Sequence, residues 1–243
     1  MDKTILITGA STGIGAATAL ELAEKNTVII HYNHSRSEAE GTAKRVEGKG
    51  GMSLLVQADL MSEAGCRDLV NAVKVKTTRL DALVNNAGGL IVRHDTRDLR
   101  WDLMERIFRL NTFSTMMMTT LCVPMLEKSK SPCIVNITSV AMRTGAPTAT
   151  IYGASKGAVD SFTRGSAREL APQIRVNAVA PGIIDTPFHD KVTPEAMMKN
   201  LVSQIPLKIV GQAEQIARAI RFLIENPFIT GETIDVNGGH FMR

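Results

Sequence analysis

A chain of 243 residues, with 44% hydrophobic and 21% charged side chains, has the composition of a folded, water-compatible protein and is long enough to bury a core without disulfides or metals. A formal charge of +4 with no long block of like charge excludes a nucleic-acid tail as the basis of function, and no apolar run approaches a membrane span. The cysteines, Cys66, Cys122 and Cys133, are odd in number and lack Cys-x-x-Cys spacing, which predicts reduced thiols in a cytoplasmic setting and no metal site; Met1-Asp2-Lys3 runs straight into a strand-like segment, so no leader peptide is expected.

Thr4 to Thr8 is an apolar, β-branched run that predicts a buried parallel strand. Gly9-Ala10-Ser11-Thr12-Gly13-Ile14-Gly15 follows, then a helical stretch from Ala16 to Lys25. Strand, glycine-rich turn and helix in that order form a cradle for a dinucleotide pyrophosphate. Gly9 permits the tight turn, Gly13 lets backbone approach phosphate, and Gly15 lets helix and strand pack closely. The helix N-terminus offers N–H groups and positive dipole to the anion. The spacing is Gly-x-x-x-Gly-x-Gly rather than Gly-x-Gly-x-x-Gly. Taken alone it would be only a turn; its place between strand and helix points to a cofactor.

Thr27 to Tyr32 predicts the second strand. A carboxylate about 20 residues past the glycines would hold the adenosine ribose of NAD. Here the strand runs into Asn33-His34-Ser35-Arg36, and no carboxylate occurs before Glu38. A carboxylate would repel a 2′-phosphate, so its absence beside Asn33, His34, Ser35 and Arg36 favours NADP(H), with NAD(H) the alternative. Arg36 equally suits a solvated helix start.

Glu38 to Glu47 reads as a helix and Met52 to Gln57 as the third strand. Asp59-Leu60 then lie at the sheet edge where α/β proteins bind ligands. Asp59 suits a hydrogen bond from an adenine amino group, or a helix cap with Ser62. A helix from Glu63 to Thr77 leads to a fourth strand, Leu80 to Val84, ending in Asn85-Asn86-Ala87-Gly88-Gly89. Amides and small residues there suit close approach to a ribose, or a plain turn. Leu90 to Arg97 predicts a loop and Arg100 to Lys128 one long helix. Asn111 within it is a poor helix former, either a tolerated surface residue or a placed amide.

Cys133 to Thr138 predicts strand five, which delivers Ser139 at its end. After a loop, Ala141 to Thr150, a helix from Ile151 to Leu170 carries Tyr152 and Lys156. Four residues apart, they share one helix face. A phenol with a pKa of about 10 is a poor acid–base at neutral pH. A neighbouring ammonium favours phenolate, and the pair can then move a proton to or from an alcohol or carbonyl oxygen. Alone, Tyr-x-x-x-Lys also describes a surface pair. Arg175 to Ala180 predicts strand six, running to Pro181-Gly182. A mobile lid is expected over 183–205, then a helix from Gln212 to Glu225 and a last strand, Thr233 to Val236. The alternation of strands and helices predicts one α/β domain, a Rossmann-type doubly wound parallel sheet with helices on both faces.

These residues resemble the short-chain dehydrogenase/reductase family over essentially the whole chain, nearest to its 3-oxoacyl-carrier-protein reductase-like members. The resemblance rests on Thr8-Gly9-x-x-x-Gly13-Ile14-Gly15, Asp59, Asn85-Asn86-Ala87-Gly88, Asn111, Ser139, Tyr152-x-x-x-Lys156, Pro181-Gly182 and Gly238-Gly239, in that order. It implies seven strands ordered 3-2-1-4-5-6-7. It implies that Tyr152 is the general acid–base, that Lys156 lowers its pKa and binds the nicotinamide ribose, that Ser139 steadies the substrate oxygen, and that Asn111 positions a relay water. Gly9, Ser11, Thr12, Gly13, Ile14, Gly15, Asp59, Leu60, Asn86, Ala87 and Gly88 would line the dinucleotide, with Pro181, Gly182, Ile184 and Thr186 around the nicotinamide. Thr12 stands where many NADP-using relatives place a basic residue. Substrate walls are expected at 89–93, 141–147 and 183–198, which include Arg93, Arg143, His189 and Lys191 as anion contacts or as solvated charges. The partner is then a small carbonyl or alcohol, with no nucleic acid and no membrane, in a homotetramer or homodimer. The alternatives are an NAD-dependent alcohol or sugar dehydrogenase, and a catalytically silent dinucleotide-binding regulator.

Overall fold

A computed structural model describes residues 3–190 and 192–242; Lys191 lies outside the described residues. The strands in chain order are β1 (Thr4–Ile7), β2 (Thr27–Tyr32), β3 (Met52–Gln57), β4 (Ala82–Asn85), β5 (Cys133–Ile137), β6 (Arg175–Pro181), β7 (Ile184–Asp185), β8 (Gly211–Gln212) and β9 (Thr233–Val236). Seven of them form one parallel sheet in the order β3-β2-β1-β4-β5-β6-β9. This is the expected doubly wound order, with its reversal between β1 and β4. The two-residue strands β7 and β8 pair separately.

The inner strands of the sheet are buried on both faces, which is why they read as apolar runs, whereas the edge strand β3 is partly exposed. Side chains alternate between two cores. Ile5, Ile7, Val28, Ile30 and Val135 face one core, packed under α1 (Gly13–Glu21), α2 (Arg36–Gly48) and α9 (Ala213–Glu225). Leu6, Ile29, Leu83 and Ile134 face the other, under α3 (Glu63–Lys76), α5 (Ser114–Leu126) and α7 (Thr150–Leu170). A reciprocal Gln212–Gln215 capping box starts α9. All three cysteines are buried, and burial pushes the thiols of Cys66 and Cys133 up to about 11 and that of Cys122 up to about 12.

Two expectations are corrected. The single helix over Arg100–Lys128 is instead α4 (Trp101–Phe108), a wide π-type turn over Arg109–Phe113, and α5. The loop over Ala141–Thr150 contains a short helix, α6 (Ala141–Thr144), and ends where α7 begins at Thr150. The segment 183–205, where a mobile lid is expected, begins with β7 and ends with α8 (Glu195–Gln204). No helix among the described residues is long and apolar enough to cross a membrane.

Candidate active site

The C-terminal ends of β1 and β4 are stitched together. The Thr8 hydroxyl oxygen accepts from the backbone N–H groups of Asn86 and Ala87, each at 3.0 Å. The Asn86 amide donates back to the carbonyls of Thr8 (2.9 Å) and Gly9 (2.8 Å). This closeness explains Gly15: a Cβ there would stand 2.3 Å from the Gly9 oxygen and 2.6 Å from the Asn86 amide nitrogen. Gly9 and Gly13 have φ of +62° and +54°, which disfavour other residues. Thr12 precedes α1 without a side-chain cap, and the first turn has no acidic residue. The leading N–H groups are thereby left to an anion, and a dinucleotide pyrophosphate fits there.

His31, near the end of β2, secures this turn. Its Nδ1 accepts from the Gly9 N–H at 3.0 Å and its Nε2 lies 3.1 Å from the Ala58 carbonyl. The second contact requires a hydrogen on Nε2, so one neutral tautomer satisfies both. Burial lowers its pKa, opposed by the Ala58 carbonyl and the Asp59 carboxylate.

On the other side of the sheet's reversal, β5 ends at Ile137 and Ser139 follows two residues on. The first turn of α7 presents Tyr152, and Lys156 lies one turn later. The buried Lys156 ammonium donates to the Ile137 carbonyl at 2.8 Å and lies 5.9 Å from the centre of the Tyr152 ring. Burial pushes it down to about 8. Burial also pushes the Tyr152 phenol up to about 12, against the pull of the Ser139 hydroxyl bonded to it. The direction is opposite to the lowering expected from the ammonium, because desolvation of the phenolate outweighs the Ser139 hydrogen bond. The Ser139 oxygen also accepts from the Ala141 N–H at 3.1 Å.

Asn111 sits in the wide turn, fully buried. Its Oδ1 accepts from the Gly89 N–H, and its Nδ2 donates to the carbonyls of Gly89 and Ile107, all at 2.9 Å. Its side chain therefore holds the β4 loop rather than facing the cleft. A Cβ on Gly88 would meet Asn111 Oδ1 at 2.6 Å and Lys156 Nζ at 3.0 Å, so Gly88 keeps this junction open.

The segment after β7 borders the outer end of the site. The Phe188 ring packs against Tyr152 at 5.8 Å between centroids and against His189 at 5.0 Å. His189 Nδ1 lies 3.0 Å from the Thr193 hydroxyl. Arg93 reaches across from the loop after β4 to the same segment.

A cleft of about 740 Å³ joins these parts. Of the residues expected from sequence, Gly9, Ser11, Thr12, Gly13, Ile14, Asn33, His34, Ser35, Asp59, Leu60, Asn86, Ala87, Gly88, Ser139, Tyr152, Lys156, Pro181, Gly182, Ile184 and Thr186 line it. Gly15 and Asn111 lie behind the wall and shape it. Arg36 is turned outward onto Glu40 at 2.9 Å, away from the cleft, because it opens α2 with a partner one turn on. Arg143 also turns away, toward Asp235 at 3.5 Å and over the Phe241 ring. His31 and Phe188 were not singled out from the sequence. A lone imidazole in an otherwise apolar strand was the available signal for the first; nothing marked the second.

The family model described as Enoyl-(Acyl carrier protein) reductase matches residues 9–240. A 3-oxoacyl-[acyl-carrier-protein] reductase from Synechocystis is 38% identical over 98% of this chain and 96% of that protein. Among solved structures, one described as a short-chain dehydrogenase/reductase from Burkholderia xenovorans has a TM-score of 0.88 at 33% identity, covering 98% of each chain. The angucycline C-6 ketoreductase LanV with bound NADP has a TM-score of 0.90 at 29% identity, covering 98% of this chain and 95% of that one. The NADH-dependent reductase A1-R′, responsible for alginate metabolism, has a TM-score of 0.91 at 30% identity, covering 100% and 98%.

Proposed function

The chain belongs to the short-chain dehydrogenase/reductase family and is an NAD(P)-dependent reductase, and from that premise we propose that Tyr152, Ser139 and Lys156 serve the reversible reduction of a ketone-type carbonyl with NADP(H). The observation that carries this is the meeting of Ser139, Tyr152 and Lys156 beside the glycine cradle in one cleft. When bound, a reduced nicotinamide supplies the hydride. Tyr152, a neutral acid at pH 7, gives its proton to the oxygen that becomes the alcohol. Ser139 donates to the same oxygen and stabilises charge developing on it in a site shielded from water. Lys156, one turn away, stabilises the phenolate electrostatically and holds the nicotinamide ribose. The cradle formed by Gly9, Gly13 and the α1 N-terminus holds the pyrophosphate.

The preference for NADP(H) is supported by Asn33, His34 and Ser35 lining the cleft with no carboxylate among them. The reading extends to a cytoplasmic homotetramer or homodimer joined through α4, α5 and α7. Trp101 and Phe113 leave apolar surface uncovered on that stretch, at 78% and 53% exposure, and light scattering gives the count.

The test is NADPH oxidation across a panel of ketones, with Tyr152→Phe beside the wild type. Tyr152→Phe is expected to lose about 10²-fold or more in turnover while still binding NADPH. Retained turnover would remove Tyr152 from the mechanism. Dinucleotide binding with no turnover by the wild type would favour a regulator, and tighter binding of NADH than of NADPH would reverse the cofactor assignment.

A further inference from the structure

Arg93 lies half-buried in the wall of the cleft, between three of its margins. Its Nε donates to the Val192 carbonyl at 2.5 Å, its Nη2 to the Thr193 hydroxyl at 3.0 Å, and its Nη1 to the Thr148 hydroxyl at 3.3 Å. All three acceptors are neutral. Among the described residues no carboxylate pairs with Arg93, and burial alone acts on its guanidinium, lowering its pKa. Elsewhere in the protein the less exposed guanidinium groups are compensated. Arg143, whose side chain is only 17% exposed, lies beside Asp235 and Asp160. Arg175 pairs with no carboxylate among the described residues either, but it caps the carbonyls of Leu223 and Ile224 at the negative end of the α9 dipole. Arg93 has neither form of compensation.

A cation withdrawn from water without a counter-charge is costly. The cost is felt on His189 as well, whose pKa is lowered by burial first and by Arg93 second. Asp185 and Asp190 act on His189 in the opposite sense, yet neither pairs with Arg93. The three contacts leave two of the five guanidinium N–H groups unengaged, one on each Nη, which is the number a carboxylate takes from one arginine. The cleft that Arg93 lines also contains Tyr152 and Ser139.

We infer that Arg93 is the receptor for a carboxylate on the substrate, so that this reductase takes free oxo acids in preference to neutral ketones or neutral acyl thioesters. The inference rests on the reductase reading of the same cleft. It adds that substrate charge and lid position are read by one residue. Arg93 already holds Val192 and Thr193 of the lid, so a carboxylate seated on it completes the junction between the lid and the loop after β4. An apolar acyl chain passing the same point would leave the cation uncompensated.

The experiment compares acetoacetate, levulinate and 2-oxobutyrate, each beside its methyl ester, as substrates with NADPH for wild type, Arg93→Lys and Arg93→Gln, after each variant is shown to melt cooperatively. The wild type is expected to favour at least one acid over its ester by about 10-fold or more in kcat/KM. Arg93→Gln should bring that ratio toward one, mainly through a higher KM for the acid, and Arg93→Lys should keep part of it. Equal losses on acid and ester in Arg93→Gln would show a lid clamp only and overturn the proposal. Should the wild type reduce none of the six compounds, calorimetric titration of the NADPH-bound protein with the three acids separates the two readings. Binding to wild type but not to Arg93→Gln upholds the carboxylate site while the reductase reading fails; no binding to the wild type overturns the site as well.

Discussion

Asn111 holds Gly89 by both of its backbone polar groups, taking the N–H on Oδ1 and giving Nδ2–H to the carbonyl, each at 2.9 Å. The wide turn over Arg109–Phe113 makes this geometry available, since an extra residue in the helical ladder re-aims a side chain. The amide thus fixes the loop that borders Lys156. Asn111→Ala leaves the part-buried Gly89 pair and the buried Ile107 carbonyl without their partner. A loss of about 2–4 kcal/mol is expected in denaturant unfolding, together with lower turnover. Unchanged stability would mean that the loop holds itself.

Lys156 costs the fold something at neutral pH. Its folded pKa of about 8 lies below the ordinary 10.5. Between those values the unfolded chain holds a proton that the folded chain has released, so stability rises with pH through that window. The gap corresponds to about 3 kcal/mol. Lys156→Met removes this penalty but strips the Ile137 carbonyl of its donor. A net gain of about 1–2 kcal/mol is expected at pH 7, fading by about pH 10, with turnover lost. Melting curves at both pH values decide it; a variant less stable than wild type at pH 7 contradicts the sign.

The raised phenol makes the two directions of reaction respond differently to pH. Tyr152 at about 12 stays protonated across the neutral range, so carbonyl reduction should show no loss from phenol ionisation up to about pH 10. Alcohol oxidation needs phenolate as the base and should rise with pH. Rate profiles in both directions test this, and a reduction rate that falls with an apparent pKa near 7 would contradict it.

His31 gives an acid-side dependence. Its folded pKa is below the ordinary 6.5, so under that value the unfolded chain protonates first and stability falls as pH falls. Protonation also places a second N–H opposite the Gly9 N–H and opens the glycine turn. NADPH affinity and the urea midpoint should both decline from about pH 6.5 to 5 in the wild type. His31→Asn, which has no charge to gain, should show a flatter profile in both. Parallel profiles for the two proteins would exclude the imidazole as the cause.

Two glycines give a matched comparison. Gly15→Ala forces a Cβ to 2.3 Å from the Gly9 oxygen and should abolish dinucleotide binding along with a loss of about 2 kcal/mol or more. Gly41→Ala, within α2 with nothing within 4 Å of the new Cβ, should stabilise by about 0.5–1 kcal/mol and leave binding intact. Thermal melts and NADPH titration read both.

The sheet was legible because runs such as Thr4–Ile7 and Cys133–Ile137 are buried on both faces, and burial writes itself into composition. The cleft-lining glycines and Ser139 were legible from their place after strands. The break in the Arg100–Lys128 helix was not, because one extra residue in a helix leaves apolar periodicity nearly intact on both sides. Only the misfit of Asn111 hinted at it. Arg36 reads in the sequence as a cofactor contact or a solvated helix start; the second holds, because its side chain is taken by Glu40 one turn on. The opposed pKa shifts of Tyr152 and Lys156 depend on desolvation, which spacing on a helix does not encode.

The buried cysteines have a practical consequence. With Cys66, Cys122 and Cys133 enclosed and their thiols held up at about 11 to 12, the native protein offers almost no thiolate to an alkylating reagent. A cysteine introduced on the exposed side of α8 would then be the one fast-reacting position. A fluorophore placed there would report any movement of α8 in the otherwise unaltered chain, with no background labelling to subtract.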